Sequence, residues 1–113
     1  MNLNKINEEI IKFSEERNWS KFHTPKNLSM ALSVEASELL EIFQWQKQSD
    51  YKTLKKEMKE NIEDEVSDIF YYLLRICQKL NIDIEKAFIK KMEKNRKKYP
   101  VEKFMGKSTS RKR

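Results

Sequence analysis

The chain of 113 residues contains one glycine, two prolines, one cysteine and one histidine. A single glycine, Gly106, leaves no material for a glycine-rich phosphate loop, for tight hairpin turns or for a succession of short strands. P-loop and Rossmann sites are thereby excluded, and an all-α chain is expected. The lone thiol, Cys77, has no partner for an internal disulfide and lies among apolar residues, as a buried thiol of a reducing compartment does. No stretch approaches the roughly 18 consecutive apolar residues of a membrane span. The opening MNLNKINEEI carries acids where a signal peptide needs a basic start and an apolar run. A cytoplasmic protein with no membrane association is expected.

Charge is plentiful by contrast. Charged residues make up 37% of the chain and hydrophobic residues 38%, which gives a single small domain a thin core and makes self-association an attractive way to bury more surface. The net charge of +6 is unevenly placed: from Arg96 to Arg113 there are eight basic residues against one acid, Glu102, while residues 1–95 hold 16 bases and 17 acids. The sequence therefore reads as a nearly neutral domain over residues 1–100 and a basic, disordered tail over 101–113. Nucleic-acid binding by that tail is the weaker alternative.

Apolar periodicity divides the domain into four helices. Leu3, Ile6, Ile10 and Phe13 mark a first helix ending near Asn18. Thr24 followed by Pro25 has the form of an N-cap with proline at the first helical position, opening a second helix that reaches about Gln46. Ser49 or Asp50 would cap a third helix from about Tyr51 to Leu80, with Ile62, Ile69, Leu73 and Ile76 inward, and Asn81 stops it. Asp83 would cap a fourth carrying Ile84, Ala87, Phe88 and Met92, which ends by Tyr99 because Pro100 disfavours helix in the residue before it.

Two of these helices carry acids on the apolar side. A rotation of about 100° per residue puts Leu28, Ala31, Leu32, Leu39, Ile42 and Phe43 on one arc of the second helix, with Glu35 in its middle, Glu38 at its edge and Glu41 toward solvent. The third helix repeats the device, with Glu65 central and Asp68 at the edge. Ionised carboxylates in an apolar seam need cationic side chains or a metal beside them. Oxygen-only ligands favour hard cations, Mg²⁺ or Mn²⁺, over zinc. A ferritin-like di-iron centre would need Glu-x-x-His pairs, and the single histidine, His23, lies outside both motifs. Salt bridges to Lys or Arg across the bundle are the alternative.

Val34-Glu35-Ala36-Ser37-Glu38 followed by Glu65-Val66-Ser67-Asp68 resembles the Glu-Glu-x-x-Glu and Glu-x-x-Asp pattern of the MazG-like, all-α nucleotide pyrophosphohydrolases, which share a helical core with dimeric dUTPases. Val34 replaces the first Glu, as in the dCTP pyrophosphatase-like branch. Trp19 to Leu28, Phe43-Gln44-Trp45 and Lys91 to Pro100 resemble that branch too.

The resemblance implies a four-helix bundle-like core that hydrolyses a nucleoside triphosphate, with dCTP or a modified dCTP as the candidate substrates, to the monophosphate and pyrophosphate. Glu35, Glu38, Glu65 and Asp68 would hold Mg²⁺, with Mn²⁺ as substitute, and Glu35 or Glu38 would take the proton of the attacking water. Trp19, Trp45 and Tyr72 would line the base pocket, and His23 would bond base or sugar or serve structurally. Lys91, Asn95 and Arg96 would meet phosphate oxygens. A homodimer or homotetramer is implied. Two other readings stay open: a broad-specificity triphosphatase of the same family, and a non-enzymatic helical module that binds through its basic tail.

Overall fold

Short polar side chains set the helix ends. The Asn2 side chain accepts from the Lys5 backbone N–H, Thr24 Oγ1 from that of Asn27 and Asp83 Oδ1 from that of Lys86, each at 3.1 Å. Each bond satisfies a backbone donor that the first helical turn leaves unpaired. The computed structural model describes residues 1–45 and 54–107. They form α1 (Leu3–Glu16), α2 (Pro25–Phe43), α3 (Lys56–Leu80), α4 (Ile84–Lys98) and α5 (Val101–Phe104), with a 3-10 turn over Ser20–Phe22. Among the described residues there is no strand and no helix long and apolar enough to cross a membrane.

Several boundaries follow the sequence closely. Pro25 occupies the first turn of α2, and Asn81, at φ 54°, ends α3 in the left-handed conformation. The first helix stops at Glu16, earlier than expected, because Asn18 turns the chain at φ 55°. Lys55 is the N-cap of α3, so that helix starts later than Tyr51. Gln46, Ser49, Asp50 and Tyr51 lie outside the described residues. The tail expected from residue 101 is helical over Val101–Phe104, where Pro100 restarts the helix and the Tyr99 and Phe104 rings meet edge to face at 5.2 Å.

The chain divides into two units, Met1–Asn81 and Ile82–Arg113. In the first, α3 is the shared element. Ser14 pairs with Tyr71 and Asn7 with Gln78, so α1 runs antiparallel to α3. Arg75 reaches His23 just ahead of α2, whereas Glu65 lies beside Glu35, so α2 is antiparallel to α3 as well. Two neighbours on one helix widen its buried arc. Leu73, expected inward, is 39% exposed, and Leu74 and Cys77 are buried in its place. Leu28 and Leu74 are sealed almost completely, Ile10 nearly so, and fully buried Ser14 shares a 2.7 Å hydrogen bond with the Tyr71 hydroxyl.

Candidate active site

The acids that the helical arithmetic put on apolar faces meet where α2 crosses the middle of α3. One carboxylate oxygen each from Glu35, Glu38 and Glu65 lies within 4.8 Å of the others. Glu35 and Glu65 are half-buried and Glu38 is exposed. The Oε2 atoms of Glu35 and Glu65 are sealed from solvent with no hydrogen-bond partner among the described residues. The ion pairs found there, Arg17 with Glu16 and Arg96 with Glu93, involve none of these acids. Such oxygens are costly to bury unless a proton or a cation meets them.

The titration of the cluster reflects that crowding. A hydrogen bond with Glu65, then burial, then adjacent Glu38 push Glu35 up to about 8 from the usual carboxylate range. Glu65 is raised too: its hydrogen bond with Glu35 acts to lower it, but burial together with Glu38 and Asp68 outweighs that. Without a cation, the pair retains a proton near neutral pH. A dication would replace that proton, and an all-oxygen donor set with buried, unpartnered oxygens fits a hard one. A cleft of about 480 Å³ opens from the cluster, walled by Glu38, Glu41, Ile42, Asn61, Asp64 and Glu65.

One turn along α3 the chemistry changes. Asp68 stands outside the three-carboxylate group and lines a second cavity of about 350 Å³ with Glu9, Ile10, Phe13, Trp19, Tyr71 and Tyr72. Its rings meet edge-on, Phe13 with Trp19 at 5.6 Å, Phe13 with Tyr71 at 5.9 Å and Tyr71 with Tyr72 at 5.1 Å. Burial first, then the charge of Glu35, then Tyr71 and Asp68, raise the Tyr72 hydroxyl above its ordinary value. Tyr72 thus senses both the acidic cluster and the aromatic cavity.

Of the remaining candidates, His23 and Trp45 are not among the residues that line these two cavities. His23 Nδ1 accepts from Arg75 Nε at 3.0 Å, and the Trp19 and His23 ring centroids are 6.5 Å apart. Burial, then the charges of Arg75 and Lys79, lower its pKa. Trp45 is 88% exposed beyond the end of α2 opposite Trp19, and it is not among the residues lining the aromatic cavity. Lys91, Asn95 and Arg96 belong to the second unit; there Asn95 contacts Met92 Sδ at 4.0 Å and Arg96 pairs with Glu93.

Sequence reasoning missed Phe13, Tyr71 and Arg75. Phe13 was visible as part of the first helix's stripe, and Tyr71 as the neighbour of Tyr72. Arg75 carried a sharper signal, a lone cation inside the run Ile69-Phe-Tyr-Tyr-Leu-Leu-Arg-Ile-Cys77, where burial of a charge calls for an explanation.

Comparison with known proteins agrees with this architecture. A family model described as the MazG-like family matches residues 30–112. Among curated proteins, dCTP pyrophosphatase 1 of Rattus norvegicus is 38% identical over 91 residues, covering 79% of this chain and 54% of that protein. The Homo sapiens dCTP pyrophosphatase 1 is 35% identical over 102 residues, covering 88% of this chain and 59% of the relative. The chain thus spans little more than half the length of these curated relatives. Among solved structures, a pyrophosphatase from Archaeoglobus fulgidus has a TM-score of 0.79 and 39% identity, covering 88% of this chain and 94% of that one.

Proposed function

The chain belongs to the MazG-like family, and from that premise we propose that it hydrolyses a (deoxy)nucleoside triphosphate to the monophosphate and pyrophosphate, with dCTP or a modified dCTP as the first candidate. One observation carries the reading. Two buried carboxylate oxygens without hydrogen-bond partners among the described residues, on Glu35 and Glu65, sit one helical turn from an aromatic cavity that contains Asp68 and Tyr72. A cation site beside an aromatic recess suits a molecule with a polyphosphate at one end and a planar base at the other.

Glu35, Glu38 and Glu65 are the residues that would hold Mg²⁺ or Mn²⁺, with Asp68 completing the set from the next turn. The bound cation would neutralise phosphate oxygens and lower the pKa of an attacking water. Glu35 and Glu38 are the candidates to accept that water's proton. Glu35 holds a proton up to about pH 8 when no cation is present, so ligation and proton transfer compete for the same oxygens. Trp19 and Tyr72 would bracket the base, while Trp45, His23, Lys91, Asn95 and Arg96 are assigned to substrate by the resemblance alone.

Apolar side chains left at the surface, Met30, Val34 and Leu40 on α2 and Val66, Leu73 and Leu80 on α3, support assembly as a homodimer or homotetramer. A cytoplasmic site of action matches a nucleotide-pool substrate. The test is a panel of canonical and modified dNTPs assayed for pyrophosphate with Mg²⁺ or Mn²⁺. Pyrophosphate release that requires the cation and favours cytosine nucleotides is expected. Equal turnover of every base would move the assignment to a broad-specificity triphosphatase, and no release from any nucleotide would defeat it.

A further inference from the structure

Arg75 is 5% exposed. A guanidinium so deeply buried is ordinarily matched by a carboxylate, yet neither ion pair among the described residues includes it. Its hydrogen bonds go elsewhere. Nε donates to His23 Nδ1 at 3.0 Å and Nη1 donates to Gln78 Oε1 at 2.9 Å. Gln78 Nε2 in turn donates to Asn7 on α1, at 2.8 Å to Oδ1 and 3.3 Å to the backbone oxygen. The guanidinium is thereby oriented from the α1 side and aimed at the turn that precedes α2.

That turn carries Trp19. One helical turn further along α3, Lys79 Nζ donates to Ser20 at 2.7 Å to Oγ and 3.1 Å to the backbone oxygen. Two cations of α3 therefore hold the turn at two points, Ser20 and His23. Trp19 lies ahead of both, with its ring edge-on to Phe13 and His23. It is 41% exposed, so burial alone does not fix its orientation. An accepting Nδ1 leaves the His23 proton on Nε2, and the surroundings favour that neutral imidazole.

We infer that Arg75 is a positioning residue: through His23 Nδ1 it locks the 18–24 turn onto α3 and so sets the Trp19 ring at the wall of the aromatic cavity. The assignment rests on the nucleotide reading for its catalytic consequence but not for its geometry. Its effect belongs to substrate capture rather than to the cleavage step, because Arg75 is about ten residues, roughly 15 Å of helix, from Glu65.

Two measurements separate this from a scaffold role. In a Trp45→Phe background Trp19 is the sole tryptophan, since the chain has two, and acrylamide quenching and fluorescence anisotropy report its freedom without any ligand. Arg75→Met should raise quenching and lower anisotropy while helicity is kept. In the otherwise unaltered chain, Arg75→Met should raise KM for dCTP about fivefold or more, the low end of a lost base stack, with kcat within about twofold. His23→Leu should reproduce both effects, the double variant should be no worse than either single one, and His23→Asn, whose Oδ1 can accept from Nε, should restore them. Unchanged quenching and KM with only a lowered melting temperature would overturn the inference, as would additive effects in the double variant. Should Arg75→Met fail to fold, His23→Leu carries the same two outcomes. If the unaltered chain turns over no nucleotide, the substrate reading fails while the fluorescence arm still decides the role of Arg75.

Discussion

The middle of α3 and its C-terminal third meet the same difficulty, ionisable groups away from water, and resolve it differently. At the Arg75 end Nε and Nη1 donate to neutral acceptors, His23 and Gln78, and the chain of bonds runs on to Asn7. At the Glu35–Glu65 end the acids face one another and two oxygens have no hydrogen-bond partner among the described residues. A buried network whose groups find acceptors stiffens a structure, whereas a half-satisfied cluster of one sign is stable only when something else arrives. Arg75 is the nearby cation that could have neutralised the acids, and it sits three turns too far along the helix to do so. The contrast separates a frame from a binding site within one helix.

The strongest way to break that contrast is to remove acids from the seam. Glu38→Gln or Asp68→Asn should lower pyrophosphate release by more than about 100-fold, beyond the 10–100-fold typical of residues that merely support a metal ligand. Circular dichroism should still report a helical chain. Near wild-type turnover in either variant would remove that acid from the cation set. Loss of stability with cation-dependent turnover retained would return the cluster to a structural role.

Cation and pH should act on the two ends in opposite senses. Glu35 has its pKa raised to about 8 in the fold, so the stability it contributes is full below the ordinary carboxylate range and is lost as pH rises through about 8. The His23 pKa is lowered, so its contribution is full above the ordinary histidine value and is lost as pH falls through the lowered one. Thermal melts of cation-free protein should therefore show a decline from mildly acidic pH to pH 8 that Glu35→Gln flattens and His23→Asn does not. Mg²⁺ at about 100 times its Kd should add roughly 2.7 kcal/mol at pH 8, and less at pH 5, where protons compete. Equal stabilisation by Mg²⁺ in Glu35→Gln would remove Glu35 from the ligands.

A smaller effect separates the two tryptophans. Trp19 lines the cavity and Trp45 is 88% exposed, and α2, with 19 residues, holds the ends that they flank about 28 Å apart. Trp19→Ala should raise KM for the preferred dNTP by an amount consistent with about 1–3 kcal/mol for a lost stack, and should spare tripolyphosphate if that is turned over. For Trp45→Ala, an equally large rise in KM would mean that Trp45 reaches a base from a second copy, whereas an unchanged KM with an altered oligomeric state by light scattering would place it in a subunit interface.

Much of this was legible in the sequence because helical periodicity fixes which residues share a face. Thr24, Pro25, Asn81 and Asp83 announced their caps, and the rotation that put Glu35 amid Leu28, Leu32 and Leu39 needs only a regular helix. What stayed hidden depends on contacts between distant segments. Leu73 and Leu74 cannot be ranked until it is known that α3 has neighbours on two sides. Arg75 stood out as a charge in an apolar run, but its acceptor lies 52 positions earlier, in an irregular turn with no period. Trp45 adjoins the acidic helix in sequence, yet adjacency does not say which end of that helix faces the cavity.

The smallest effect is expected from the basic end of the chain. Val101–Phe104 is helical and the Phe104 ring rests on Tyr99, so a cut after Pro100 would remove a structured contact and confuse two roles. A cut after Lys107 removes three of the chain's basic residues, Arg111, Lys112 and Arg113, and leaves that contact in place. If the acids and rings of the first unit hold the substrate, the shortened chain should turn over dNTPs within about twofold of the full one, because every contact assigned to cation and base then lies within that unit. Duplex DNA binding by the full chain should be weak and should fall steeply between about 50 and 200 mM salt. Tight, sequence-selective binding that disappears with the last six residues would shift the function from the acidic seam to the tail.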